Sequence, residues 1–297
     1  PDPGVRATVP VAQRPQDVAV SPGGRFAYVA VRDAPRLVVM DATTDAVAAE
    51  IPLPGPPRFV EMSPDGARAF VGMSDDGAAV NLLGVVDVVR NTLLSTAPVG
   101  PDPAGAVPSP DGRFVYLAGR GSATIDEIDP VAGVQTRSVP VSRAPSAVAP
   151  SAQGDQLYVA SHGSGQLTVL DPNTLSVSGT YPVSGDAQAV AASPTAPQVA
   201  VAGPDTDRVA VLDPSDGREI ASVRVDGGPT ALAFAPDGRH LYVTAGDTLT
   251  VVDTGSWDEI GSVPVGPKPT SVAVAPDGRT AWVTNADGGT VSVLTTA

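Results

Sequence analysis

The sequence predicts an all-β protein, a seven-bladed β-propeller with four-stranded antiparallel blades. Three observations predict it. One turn motif recurs seven times, each repeat contains short apolar runs rich in valine, and the two ends of the chain carry complementary parts of one repeat. No window of useful length shows the 3.6-residue periodicity of an amphipathic helix.

The turn motif sets the repeat length. Its copies start at spacings of 42, 46, 42, 42, 42 and 40 residues. The seven copies begin at Ser21, Ser63, Ser109, Ser151, Ser193, Ala235 and Ala275. Self-similarity at this period is typical of repeat architectures. We therefore predict one domain, 1–297, with blades at about 14–55, 56–100, 101–143, 144–185, 186–227, 228–266 and 267–297 plus 5–13.

Each repeat predicts four strands in a fixed order, as the last copy shows. The first run, TSVAVA, leads into Pro-Asp-Gly, where proline presets φ and glycine takes a positive φ. The second run, RTAWVTN, is followed by a polar loop and the third run, TVSVL. In the earlier repeats an Asp-Pro type of turn and a fourth run such as SVPVG come next. Short valine-rich runs joined by such turns favour an antiparallel sheet.

Two positions support this alignment of the seven repeats, and we call the set of equivalent residues at each position a column. The second strand carries an aromatic residue in six repeats: Tyr28, Phe70, Tyr116, Tyr158, Tyr242 and Trp282, with Ala200 as the exception. The third strand carries valine in six repeats, with Glu127 as the exception. We expect the rings to fill the gaps between neighbouring blades.

The chain ends predict how the ring closes. The last repeat stops after its third run, and Val5–Ala12 resembles the fourth runs elsewhere. Radial stacking of sheets buries both faces of each and leaves short edges. We therefore expect the N-terminal strand to complete the last blade.

Several residues carry a resemblance to a known family. YVTA at Tyr242–Ala245 and WVTN at Trp282–Asn285, each preceded by PDGR, and valine-rich strands ending in PVG resemble the YVTN-type β-propeller repeat family. The resemblance covers nearly the whole chain and implies a seven-bladed propeller. Because members of that family are often exported, periplasmic or on the cell surface, it also implies an extracytoplasmic location. Related propellers include lactonases, streptogramin lyases and quinoprotein amine dehydrogenase subunits.

The composition and charge of the chain indicate which classes of partner and cofactor to expect. The chain carries 18 basic and 32 acidic residues, a net charge of −14, which disfavours nucleic acid. It has no cysteine and two histidines, expected on opposite faces, so we predict no metal site and no cofactor. No apolar run approaches a membrane span, and the first ten residues do not resemble a signal peptide. We expect a monomer.

Two acidic residues depart from the repeat. Glu61 stands in a column of small apolar residues on the first strand of blade two, and Glu127 stands in the valine column of blade three. One interpretation is a catalytic carboxylate pair, with Arg58 and Arg120 nearby. The other is drift, in which Glu61 pairs with an arginine and Glu127 reaches water or the local register slips. The same sector has the longest loop within a blade, 74–81, and we expect Gly105 and Pro108 to break a strand.

Ligand-binding residues are expected on one face of the ring. We call it the top face: it carries the loops between second and third strands and the crossings between blades, while the Pro-Asp-Gly turns lie on the bottom face. Propellers usually bind ligands at the top, which is an analogy from the fold. The candidates there are Gln16, Arg58, Arg120, His162 and Gln188.

The sequence favours a binding or scaffolding propeller, exported or surface-associated, that engages a small molecule or a protein with its top face. The alternative is a small-molecule hydrolase, lyase or cyclase with a site in blades two and three. A streptogramin-lyase mechanism is disfavoured, because that family's pattern uses paired histidines with a glutamate. An electron-transfer subunit would need a second chain.

Overall fold

The predicted ring of seven blades is present. The computed structural model describes residues 3–75, 80–183 and 186–296, so residues 76–79 of the long blade-two loop lie outside the described part. The described residues form 28 strands in seven four-stranded antiparallel sheets, and they contain no helix. No helix there is thus long and apolar enough to cross a membrane.

Each blade runs from an innermost strand at the channel to an outermost strand at the rim. The innermost strands are β2 (Pro15–Val20), β6 (Pro57–Met62), β10 (Pro103–Pro108), β14 (Pro145–Pro150), β18 (Ala189–Ala192), β22 (Pro229–Phe234) and β26 (Pro269–Val274). The second strands are β3 (Phe26–Val31), β7 (Arg68–Ser74), β11 (Val115–Gly119), β15 (Leu157–Ser161), β19 (Val199–Ala202), β23 (His240–Ala245) and β27 (Thr280–Asn285). The third strands are β4 (Arg36–Asp41), β8 (Asn81–Asp87), β12 (Thr124–Asp129), β16 (Gln166–Asp171), β20 (Arg208–Leu212), β24 (Thr248–Asp253) and β28 (Thr290–Thr295). The outermost strands are β5 (Ala46–Pro52), β9 (Thr92–Pro98), β13 (Val134–Pro140), β17 (Ser176–Pro182), β21 (Glu219–Arg224), β25 (Asp258–Pro264) and, for the last blade, β1 (Gly4–Pro10).

The N-terminal strand closes the ring, as predicted. β1 pairs antiparallel with β28, from Gly4 opposite Thr295 to Pro10 opposite Thr290. The last sheet has the order β1-β28-β27-β26, so the first strand of the chain is the outermost strand of the last blade. The two ends of the polypeptide therefore hold one sheet together.

The aromatic column lies between neighbouring blades, which confirms the expected packing. The side chains of Tyr28, Phe70, Tyr242 and Trp282 are each about 1% exposed. Trp282 of the last blade belongs to a core cluster with Val29 of the first blade. Each of these rings therefore covers an apolar face of a neighbouring sheet and keeps it out of water.

The Ser-Pro-Asp-Gly turns are built by their own side chains. In blade two, Ser63 Oγ donates to Asp65 Oδ1 at 2.5 Å and accepts the Arg68 backbone N–H at 2.9 Å. Gly66 has φ of 70°, where a side chain would be strained. The same contacts recur in blade three at Ser109 and Asp111. The turn motif thus encodes a bottom-face loop locally.

The expectation of a broken first strand in blade three is wrong. Gly105 and Pro108 lie inside the continuous strand β10, and Pro108 pairs with Val115. The innermost strand is an edge of its sheet, so a proline there can lack its N–H without removing a ladder hydrogen bond. Pro150 stands at the matching position of β14.

Candidate functional site

The seven innermost strands line a central channel, whose top mouth holds a cavity of about 420 Å³. One position from each blade lines it, which we call the mouth column: Gln16, Arg58, Ala104, Ser146, Gln188, Thr230 and Thr270. In six blades the pairing of the innermost strand shifts register at this residue. A bulge of this kind re-aims a side chain, so the backbone turns the column toward the mouth.

Three short hydroxyl side chains of the mouth column tie neighbouring blades together. The contacts are Ser146 Oγ to Gln188 O (2.9 Å), Thr230 Oγ1 to Pro269 O (2.9 Å) and Thr270 Oγ1 to Pro15 O (3.1 Å). Blades one, two and five carry the longer Gln16, Arg58 and Gln188 there instead. The column therefore divides into positions that join blades and positions with polar groups large enough to reach a ligand.

Three cationic side chains line the same cavity: Arg58, Arg120 and Lys268. Arg58 Nε donates to the Ser74 carbonyl oxygen at 3.3 Å. Arg120 Nη1 lies 3.7 Å from Asp102 Oδ2, and Lys268 Nζ lies 3.7 Å from Asp287. Exposed ion pairs at this distance contribute little to stability. Arg120 and Lys268 are thus exposed positive groups that a ligand can engage at low cost.

An acidic pair lies below the rim. Asp17 Oδ1 accepts a hydrogen bond from Ser271 Oγ at 2.6 Å, and Asp17 Oδ2 accepts the Val60 backbone N–H at 2.9 Å. Asp17 therefore links the last, first and second blades. Burial raises its pKa, although these hydrogen bonds to the ionised form oppose the rise.

Glu61 is the second member of the pair. Burial, and then the nearby charge of Asp17, raise the pKa of Glu61 well above its usual range. The ring of strands encloses the side chain, yet part of it stays accessible from the channel. Glu61 lines the mouth cavity and two cavities of about 470 and 660 Å³ that reach the bottom-face turns. It thus stands at the level of the channel where these spaces meet.

Glu127 lies elsewhere, between the third and outermost strands of blade three. Its carboxylate accepts hydrogen bonds from Thr136 Oγ1 at 2.6 Å and Arg137 Nε at 2.8 Å. Arg137 mainly, and Thr136 with it, hold the pKa of Glu127 below its usual value. The drift interpretation assigned an arginine to Glu61, but the structure gives the arginine to Glu127 and an aspartate to Glu61. A joint catalytic role for the two glutamates stays a prediction.

The five predicted ligand-binding residues divide into two groups. Gln16, Arg58, Arg120 and Gln188 line the mouth cavity. His162 lies in the loop between β15 and β16, and its Nδ1 is 2.6 Å from Asp186 Oδ1, while Asp186 is 5% exposed at its side chain. In a neutral imidazole this contact requires the proton on Nδ1, which leaves Nε2 as the acceptor.

Sequence reasoning missed the role of Asp17 and Ser271. Asp17 is the lone acidic residue among its repeat equivalents, as Glu61 is among its own. That signal was available. The contact with Ser271 was not, because it joins residues 254 positions apart through ring closure.

Within the described ranges no three histidine, aspartate or glutamate side chains are grouped so that they could hold a metal ion. Among the described residues, the polar groups that line the channel include the Asp17–Glu61 carboxyl pair, the Ser271 hydroxyl beside it, and the hydroxyl, amide and cationic groups of the mouth.

Comparison with known proteins supports the assignment of the fold. No family model matches the chain, and no curated protein matches it. Among solved structures, a chain of Kuenenia stuttgartiensis hydrazine synthase superposes with a TM-score of 0.86 at 23% identity, covering 99% of this chain and 98% of that one. Since 1697 chains of solved structures match, the likeness does not select a function. The chain is a seven-bladed β-propeller, and what it does must be argued from its channel.

Proposed function

We propose that this propeller binds a polar small molecule in the cavity at the top mouth of its channel. One observation carries the proposal: a single cavity gathers the three long polar side chains of the mouth column, Gln16, Arg58 and Gln188, above the Asp17–Glu61 pair. The repeat places small residues at most of the equivalent positions. Departures from a repeat pattern concentrate at functional or strained sites.

The energetics of the acidic pair support the same conclusion. Two carboxyl groups enclosed near each other destabilise a fold unless one is neutral. Five of the seven blades carry alanine where blade two carries Glu61, so the fold does not require an acid there. Titratable groups with strongly shifted pKa values concentrate at functional sites.

The test compares two variants in which tryptophan replaces alanine, one in the mouth cavity and one on the bottom face. Ala104 lines the mouth cavity, whereas Ala132 is exposed in a bottom-face turn. A library of polar small molecules is screened against the wild type by ligand-observed NMR. We expect binders that are lost in Ala104→Trp and retained in Ala132→Trp. A screen without binders, or binders unaffected by Ala104→Trp, would refute the proposal.

A second candidate function is a hydrolase, lyase or cyclase that uses the same cavity. The raised pKa of Glu61 favours it, because a carboxyl that keeps its proton to higher pH than usual can donate that proton to a bound molecule. Asp17 rather than Glu127 would then be its partner base. Any molecule that binds in the screen is incubated with the protein, and its conversion to product is measured. Turnover that Glu61→Gln does not reduce would exclude this assignment.

We also propose that the protein works outside the cytoplasm, on the support of the YVTN-type repeats alone. Fractionation of cells that express the full-length gene product tests this, and recovery in the cytoplasmic fraction contradicts it.

A further inference from the structure

We propose that the channel site takes its ligand through an ammonium group, which enters beside Asp17 and Glu61 and displaces a proton held by the pair. This inference rests on the proposed function, since it assigns a ligand class to the same cavity. The ammonium group of the ligand binds at the acidic pair, and the rest of the ligand lies in the mouth cavity.

The geometry provides an incomplete set of acceptors. Both oxygens of Asp17 already accept hydrogen bonds, from Ser271 and from the Val60 backbone, so this carboxylate is fixed in place. Within the part of the chain that the structure describes, no group donates a hydrogen bond to the Glu61 carboxyl. Glu61 is nevertheless enclosed by the strands and open only to the channel. A molecule in the channel therefore meets one fixed carboxylate and one carboxyl that lacks a donor.

The acceptors match an ammonium group better than a metal ion. Calcium takes six to eight oxygen ligands, whereas the described residues offer no group of three metal-binding side chains. A primary ammonium has three N–H donors. The Glu61 carboxyl, the Asp17 carboxylate and a lone pair of Ser271 Oγ are three acceptors on adjoining innermost strands, β6, β2 and β26.

The surroundings of Glu61 offer Asp17 as the charged group that acts on it. Among the strands packed against β6, β2 brings Asp17, while β3 and β10 bring no charged side chain. Arg68 of β7 acts on Asp65 at the bottom-face turn. On β6 itself Arg58 turns to the mouth, where it donates to Ser74. Among the described strands that pack against β6, the level of Glu61 therefore carries acceptors and no cation.

Proton displacement follows from this arrangement. Burial and Asp17 raise the pKa of Glu61 well above its usual range, so the carboxyl of the empty site keeps its proton to higher pH than an ordinary glutamate does. A positive group nearby favours the ionised carboxyl and lowers that pKa. Binding must then release a proton from Glu61, which passes to the solvent, and affinity must rise with pH.

The experiment uses three probes that differ only in the head group: butylamine, butanol and butyrate. Titration calorimetry of the whole protein is done at pH 6, 7 and 8, in buffers with different ionisation enthalpies. We expect butylamine to bind and the other two not to. We expect its affinity to rise by up to about tenfold per pH unit, with release of one proton.

Two variants test whether Glu61 is the source of the proton release and of the pH dependence. Glu61→Gln keeps the size of the side chain and should abolish proton release and flatten the pH dependence; its folding is checked by thermal denaturation. Glu259→Gln removes a carboxyl that is exposed on the outermost strand β25 and should change neither. Butylamine binding without proton release, or with the same pH dependence in Glu61→Gln, overturns the inference.

The outcomes separate this inference from the proposed function. If butanol or butyrate binds as well as butylamine and Ala104→Trp blocks the binding, the cavity is a binding site but the ammonium assignment is wrong. If none of the three probes binds while the screen finds other mouth binders, the ammonium assignment again fails alone. If neither the probes nor the screen gives a binder, both proposals fall.

Discussion

At the scale of the residue, Glu61 shows how one side chain can work against the fold that carries it. Its repeat equivalents are alanine or valine, which pack at this level without an electrostatic cost. Glu61 instead meets burial and Asp17, both of which oppose its ionisation. The free energy of unfolding should therefore depend on pH through this residue.

A carboxyl whose folded pKa lies above its unfolded value binds more protons in the folded state between the two values. Stability then falls as pH rises from the ordinary value of 4.5 through the raised value of Glu61. Each unit of difference corresponds to about 1.4 kcal/mol. We expect Glu61→Gln to unfold at a higher temperature than the wild type at pH 8 and at nearly the same temperature at pH 4.

Thermal denaturation of both proteins from pH 4 to pH 8 is the measurement. Glu259→Gln is the matched control, because Glu259 is exposed on the outermost strand β25. A melting-temperature difference between Glu61→Gln and wild type that does not grow with pH would contradict the assigned burial of the Glu61 charge.

At the scale of the element, Glu127 shows what a charge can do inside a blade. Its carboxylate binds Arg137 on the neighbouring strand β13. Arg137 also donates to the carbonyl oxygens of Asn173 at 2.8 Å and Pro172 at 3.2 Å, in the turn after β16 of the next blade. Tyr116 Oη donates to the same Pro172 oxygen at 3.1 Å. One ion pair therefore joins two strands of blade three to a turn of blade four.

This tie gives a stability prediction. Removing one partner of a buried ion pair typically costs about 3–5 kcal/mol, and the half-exposed Arg137 lowers our expectation for Arg137→Ala to about 2 kcal/mol. Urea denaturation measures it. Arg224→Ala serves as control, since Arg224 is 80% exposed and pairs with the exposed Asp226, and should change stability little. Equal effects of both substitutions would show that the tie adds nothing.

Prediction from sequence succeeded where the determinants are local to one repeat. The Ser-Pro-Asp-Gly turn is stabilised by bonds between residues two to five positions apart, and the aromatic column is visible by alignment of the repeats. The partner of Glu127 is ten positions away on the neighbouring strand, and its sequence neighbours give no sign of it. Asp17 and Ser271 meet only because the ring closes. The fold could thus be read from periodicity, whereas the acidic pair required three-dimensional contacts.

At the scale of the whole molecule, ring closure determines whether the candidate site exists. The last blade and the first blade meet in the core cluster around Trp282 and in the contact of Ser271 with Asp17. Ala7 and Val9 of β1 pack against that same cluster, and Arg6 reaches Asp45 in the first blade at 2.8 Å. The outermost strand therefore supports the seam where the acidic pair is assembled.

Deletion of residues 1–12 tests this dependence. Without β1, strand β28 loses its outer partner and the seam cluster loses part of its cover, so the melting temperature should fall by about 10 °C or more. Binding at the mouth should weaken as well, because Asp17 and Ser271 lie on the two sides of the seam. A synthetic peptide of residues 3–12, added in excess, should restore both. The same peptide with Ala7→Asp and Val9→Asp should not, since these two side chains face the cluster. If the shortened chain melts like the wild type, β1 is a passive edge and the acidic pair is held by the inner strands alone.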